Sequence, residues 1–170
     1  MWDDVSRLVQ PYRGRFFEDQ KHEQSINWNM PLEAFDSTAS TSANNLASRL
    51  HGDITSPAIR WFDLRFREEK LNNNKQASKW IQSVSDRIYF ELQDSNFDLE
   101  VNKMYQDLVG FGTAVMTLEE QPGLPNTWNG LQFQSVPLKE AYFEEDLDGG
   151  VVRFYRALEW TPQQMIRRFG

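Results

Sequence analysis

The apolar residues of this chain change period at Gly110-Phe111-Gly112-Thr113. Before that point they recur at three- and four-residue steps, which lines side chains along one stripe of a helix. After it they alternate, which puts them on one face of a strand. Such a switch reads as a helical part followed by a β-rich part, not as interleaved βα units. The expected class is α+β: amino-terminal helices including an antiparallel helix hairpin, followed by a small antiparallel sheet.

In the helical half, Trp2, Val5, Leu8, Val9 and Tyr12 mark a first helix that Pro11 and Gly14 close. Residues 14–35 have no period and contain Asn27, Asn29 and Pro31, so they read as an extended arm. Asp36 or Ser37 caps a second helix, with Ala39, Ala43, Leu46, Ala47 and Leu50 on its stripe and Gly52 at its end. Its small residues allow close approach, which predicts burial between neighbours. A Thr55-Ser56-Pro57 turn then leads into an extended segment with Trp61, Phe62, Leu64 and Phe66. Asn72 to Asn74 offer a cap for the longest helix, over about 74–94, whose stripe is Ala77, Trp80, Ile81, Val84, Ile88 and Leu92. Beyond Ser95-Asn96, a fourth helix carries Val101, Met104, Tyr105, Leu108 and Phe111. The short link predicts that these two helices form the hairpin.

In the second half, Ala114, Met116 and Leu118 share one strand face, with Thr113, Val115 and Thr117 on the other. A loop over 120–130 precedes a second strand at Leu131 and Phe133. Asp148-Gly149 forms a hairpin turn before a third strand with Val152, Phe154 and Leu158. Thr161-Pro162-Gln163-Gln164 is a capping-box start for a helix. That helix has barely two turns before Gly170, so the expectation is one domain over 1–170 that is the amino-terminal piece of a longer subunit. Its parts are a helix plus arm (1–35), a helical part (36–112) and a β-rich part with the start of a helix (113–170).

The 170 residues contain 18 basic and 25 acidic side chains, a formal charge of −7. Such a balance disfavours a reader that grips nucleic-acid phosphates, but does not exclude a wall past which a nucleic acid slides. With no cysteine, disulfides, thiol catalysis and thiolate metal sites are excluded within this sequence. The start, MWDDVSRLVQ, places two aspartates where a secretory signal has a basic region. The stretch LVGFGTAVM falls short of the roughly 20 apolar residues that cross a bilayer, so no membrane partner is expected.

Candidate chemistry is sparse. Gly110-Phe111-Gly112 begins like a dinucleotide loop, but Val115 replaces the third glycine and the order is helix then strand, opposite to what a phosphate at a helix amino terminus requires. Helix termination and tight packing explain these glycines better. Glu144, Glu145, Asp146 and Asp148 resemble half a calcium loop, but Tyr155 stands where the bidentate glutamate belongs. Ser48, His51 and Asp53 are the members of a conceivable triad that lacks a nucleophile elbow. His22 and His51 show no metal-ligand spacing. Arg60, Arg65 and Arg67 among Trp61, Phe62 and Phe66 are compatible with stacking single-stranded bases, or with an edge segment that buries its aromatics. No catalytic residue, cofactor or metal ligand is expected. A metal-dependent enzyme using 144–148 and a single-strand binding module around Trp61 are the alternatives.

Three blocks carry a family resemblance. The first runs from Phe35-Asp36-Ser37-Thr38-Ala39 through Leu46-Ala47-Ser48-Arg49-Leu50 to Ile54-Thr55-Ser56-Pro57 and Trp61-Phe62-Asp63-Leu64. The second is Ser95-Asn96-Phe97 with Asp107-Leu108-Val109-Gly110-Phe111-Gly112-Thr113-Ala114. The third, looser, is Arg156 with Thr161, Gln164, Phe169 and Gly170. In order and spacing the chain resembles the head-to-tail connecting, or portal, proteins of short-tailed bacteriophages. The resemblance implies a wing-like region in which Asp36, Ser37, Thr38, Ala39, Thr55, Ser56, Pro57, Trp61, Phe62, Ser95, Asn96, Phe97, Gly110, Gly112 and Thr113 are architectural. It further implies a homo-oligomeric ring, twelvefold in the mature particle. Its partners would be capsid and scaffolding proteins, terminase, tail proteins, and double-stranded DNA that passes without specific binding. The expected location is the virion, and the host cytoplasm during assembly. The stem, clip and tunnel loop of such a subunit would lie beyond Gly170, and no residue is assigned to subunit or DNA contact.

Overall fold

A computed structural model describes residues 1–11, 36–124 and 126–169. The arm expected over 14–35 lies outside the described residues, as do Tyr12, His22 and Phe35. Six helices are described, α1 (Trp2–Leu8), α2 (Thr38–Ile54), α3 (Glu69–Asn72), α4 (Lys75–Asp94), α5 (Phe97–Phe111) and α6 (Pro162–Phe169), with four strands, β1 (Val115–Glu120), β2 (Leu131–Val136), β3 (Ala141–Glu145) and β4 (Val151–Arg156). The class is α+β, with five helices before the strands and α6 after them. The strands form two separate antiparallel ribbons, β1 with β2 and β3 with β4. The expected single small sheet is thus split in two, with one strand more than foreseen.

Local chemistry sets most boundaries. Ser37 is the N-cap of α2, and the Asp36 carboxylate accepts the Thr38 N–H at 3.0 Å. Gly52 does not end α2, which continues to Ile54. Thr55 closes it, donating its N–H to the His51 carbonyl. Asn74 caps α4 by accepting from the N–H groups of Gln76 and Ala77. Thr161 and Gln164 bond reciprocally at the start of α6, Thr161 N–H to Gln164 Oε1 at 2.8 Å and Gln164 N–H to Thr161 Oγ1 at 3.4 Å.

The core sits on α5. Ala47, Val101 and Tyr105 are buried together, with Leu50, Phe97, Met104 and Val109 around them. Ala47 is a stub that lets α2 lie close against α5. Among the described residues α5 packs more extensively on α2 than on α4, so the second helix of the expected hairpin takes its main contact elsewhere. α2 buries one face only and leaves Leu46 half in solvent, which corrects the expectation that it lies between neighbours. Strand β2 covers the other flank of α5 with Phe133, Ser135 and Val136 buried. In β1, Met116 and Leu118 lie opposite Ser135 and Phe133 and share their face.

Candidate functional site

The end of the first sequence block, from Thr55, and the start of the second, Ser95-Asn96-Phe97, converge on one junction. After the turn at 57–59, residues 60–66 run as an extended segment antiparallel to α4. The Pro57 carbonyl accepts from Tyr89 Oη and Gln93 Nε2, both at 3.1 Å. Arg60 pairs with Asp86, and the Leu64 N–H donates to Ser85 Oγ at 3.3 Å. Phe66 exchanges both backbone groups with the Asn72 carboxamide, each at 2.9 Å. A segment with no strand partner thereby satisfies its backbone through side chains. Its aromatics turn toward the helices: Trp61 stacks on Phe97, Phe62 meets Trp61 edge-on at 5.0 Å, and Phe66 stacks on Trp80 at 6.1 Å.

The Ser95-Asn96-Phe97 link joins this junction to the strands. Ser95 Oγ accepts the Phe97 N–H at 3.1 Å and donates to the Leu92 carbonyl at 2.7 Å, turning the chain between α4 and α5. The Asn96 carboxamide accepts from the Phe133 N–H at 2.8 Å and donates to its carbonyl at 2.7 Å, which covers the free edge of β2. Phe97 meets Phe133 edge-on at 5.0 Å. A cleft of about 420 Å³ lies over the junction, lined by Thr55, Ser56, Pro57, Trp61 and Phe97 among others. Thr55 Oγ1 is 3.4 Å from Tyr105 Oη, which ties the turn to the core.

The glycines of the second block have distinct roles. Gly112 is left-handed, with φ 77°, and caps α5. At Gly110 a Cβ would fall 2.6 Å from Gln10 Nε2, so the missing side chain makes room for the Gln10 side chain that follows α1. Gln10 donates to the Gln106 carbonyl, and Trp2 Nε1 donates to the Phe111 carbonyl at 3.1 Å. Asp36 to Ala39 begin α2, away from the junction, and Thr113 lies between α5 and β1.

Part of the third block gathers at a second cleft, of about 810 Å³, between the outer face of β1–β2, the base of β4 and α6, while Gly170 lies outside the described residues. Arg156, Gln164 and Phe169 line it together with Trp160. Arg156 bonds Glu140 and Gln134, Arg168 pairs with Glu119 at 2.9 Å, and Trp160 contacts Phe169 with centroids 5.6 Å apart.

The other candidate sites are not brought together. His51 Nε2 lies 2.9 Å from Asp98 Oδ1 on α5, and no hydrogen bond joins it to Ser48 among the described residues. Glu144 is held by Arg153 and Tyr155, and no group of three or more His, Cys, Asp or Glu placed to hold a metal occurs among the described residues. One face of the Trp61 ring is occupied by Phe97 and Arg60 is ion-paired, so this stretch is built into the fold. No helix of the described residues is long and apolar enough to cross a membrane.

Sequence reasoning missed two buried acids. Glu100 Oε2 accepts the Ser135 N–H at 2.8 Å and its Oε1 pairs with Lys103 at 2.6 Å, while Asp107 Oδ2 lies 3.5 Å from Ser135 Oγ. Their spacing of seven puts them on one side of α5, facing β2. That spacing was the available signal.

The family model described as bacteriophage head to tail connecting protein matches residues 1–170. A probable portal protein of Bordetella phage BPP-1 is 28% identical over 169 residues, which are 99% of this chain and 29% of that protein. The chain therefore spans under a third of the length of this relative.

Proposed function

The chain belongs to the bacteriophage head-to-tail connecting protein family, and we propose that it is the amino-terminal, wing-like domain of a phage portal subunit. In this reading the full-length protein is a structural component of the ring through which double-stranded DNA is packaged and ejected. The ring is twelvefold in the mature particle and meets capsid and scaffolding proteins, terminase and tail proteins. It assembles in the host cytoplasm, resides in the virion, and holds no catalytic residue or cofactor.

The observation that carries this reading is the apolar surface left uncovered by the described fold. Trp80 and Phe90 are 61% and 62% exposed, Phe169 is 76% exposed, and Leu147 is wholly exposed. Single exposed apolar residues are ordinary, but aromatics left open on several elements are a feature of contact surfaces. An assembled subunit covers such surfaces with other copies or with the rest of its own chain. The negative balance supports the conduit role, because a wall that bound phosphates tightly would hold the genome back.

Imaging of the purified full-length protein by electron microscopy tests the reading. Rings with a central channel are expected, whereas a protein that stays monomeric in every assembly condition refutes it.

A further inference from the structure

Two surfaces of the β3–β4 ribbon have no use within the described chain. At its tip, Glu145-Asp146-Leu147-Asp148 turns back at Gly149, whose φ is 74°, with Leu147 wholly exposed between two aspartates. At its base is the cleft of about 810 Å³, with Phe154, Leu158, Trp160 and Phe169 as apolar walls and Arg156 and Arg167 among its polar groups. Three arginines and one acid, Glu119, line it. Arg168 is engaged by Glu119 and Arg156 by Glu140, whereas Arg167 has no ion pair among the described residues. An apolar side chain carried between carboxylates is complementary to an apolar cleft with an uncompensated guanidinium.

The tip cannot fill the cleft of its own chain. The two lie at opposite ends of the ribbon, and β4 alone spans about 17 Å at ~3.3 Å per residue. We propose that Asp146-Leu147-Asp148 of one subunit docks in this cleft of a neighbouring copy, with Leu147 against Phe154, Trp160 and Phe169 and the aspartates toward Arg167. This rests on the ring reading above and deepens it by naming the surfaces that meet. Knob and socket are different patches of one subunit, so the contact is heterologous. Repetition of such a contact head to tail generates a ring when the rotation between copies closes.

Cross-linking of the full-length protein tests the contact. Leu147→Cys is paired with Gln132→Cys, an exposed residue of the cleft, and treated with a short bis-maleimide while the same samples are imaged for rings. Residues 1–170 contain no cysteine, and each single variant serves as control for any thiol elsewhere. A ladder of covalent multimers in the double variant, absent from both singles, is the expected result. A charge exchange provides a second readout: Asp148→Arg and Arg167→Asp each reduce ring yield, and their combination restores it. Rings without a ladder, or a cross-link confined to single chains, overturn the docking while leaving the ring reading intact. Absence of rings from the unsubstituted protein removes both.

Discussion

The Trp61 indole lies almost parallel to the Phe97 ring, at 15° with centroids 5.9 Å apart. These residues come from different sequence blocks, and their contact fastens the extended segment after the Thr-Ser-Pro turn to the start of α5. Trp61 is 40% exposed, so its removal forfeits the stack and part of a hydrophobic burial. Trp61→Ala should cost about 1.5–3 kcal/mol, below the ~3–5 of a fully buried tryptophan. Trp61→Phe should retain most of that. Urea unfolding of the 170-residue chain checks both, with a lower midpoint and an unchanged slope expected.

Asn96 holds both backbone groups of Phe133, a residue almost wholly buried. Asn96→Ala leaves a donor and an acceptor without their partner on the edge of β2, at a cost of about 2–4 kcal/mol from two lost bonds and their desolvation. Asn96→Asp keeps the acceptor but not the donor, and should lose roughly half as much. Amide hydrogen exchange provides a local check: the Phe133 N–H should exchange much faster in Asn96→Ala, and if its protection is unchanged the carboxamide does not hold the strand.

Gly110 and Gly112 are two residues apart but should respond differently to alanine. Gly112→Ala forces a side chain into a left-handed conformation and should cost about 1 kcal/mol in any background. In Gly110→Ala the new methyl meets the amide end of the buried Gln10 side chain, and displacing it forfeits the bond to the Gln106 carbonyl at about 1–3 kcal/mol, which offsets the ~1 kcal/mol that helix propensity returns. The double variant with Gln10→Ala removes the obstacle, so there the alanine at position 110 should stabilise. This reversal of sign, read from thermal midpoints in a double-mutant cycle, distinguishes close packing from backbone strain.

What the sequence revealed of this fold was mostly local. Asn74, the Thr161/Gln164 pair, Gly112 and Asp148-Gly149 act within a few residues of themselves, so their chemistry is legible without the rest of the chain. The period switch near Gly112 gave the order of helices and strands for the same reason. β3 was missed because Tyr142 and Phe143 are adjacent and two acids follow, which hides the alternation. Asn96 was read as part of a link and not as a strand cover, because its partner lies 37 positions away. The α4 stripe shows the limit most clearly. The spacing of Trp80, Ile81, Val84 and Ile88 reports that a helix has an apolar side, not what covers it, and Trp80 and Ile88 remain exposed.

That exposure leads to a prediction about α4 itself. Phe90 is 62% exposed and its described ring contact is with the adjacent Tyr89, at 6.3 Å, so the fold of the 170-residue chain gains little from it. Phe90→Glu should leave stability within about 0.5 kcal/mol, as for other surface substitutions. Trp80→Glu, in contrast, removes the stack on Phe66 and should cost about 1–2 kcal/mol. If the uncovered aromatic acts outside the fold, Phe90→Glu should still have a visible effect on association: sedimentation velocity at rising concentration should show less self-association than the unsubstituted chain. A large loss of stability in Phe90→Glu would mean that the ring is covered within the chain, and would withdraw α4 from the surfaces left for assembly.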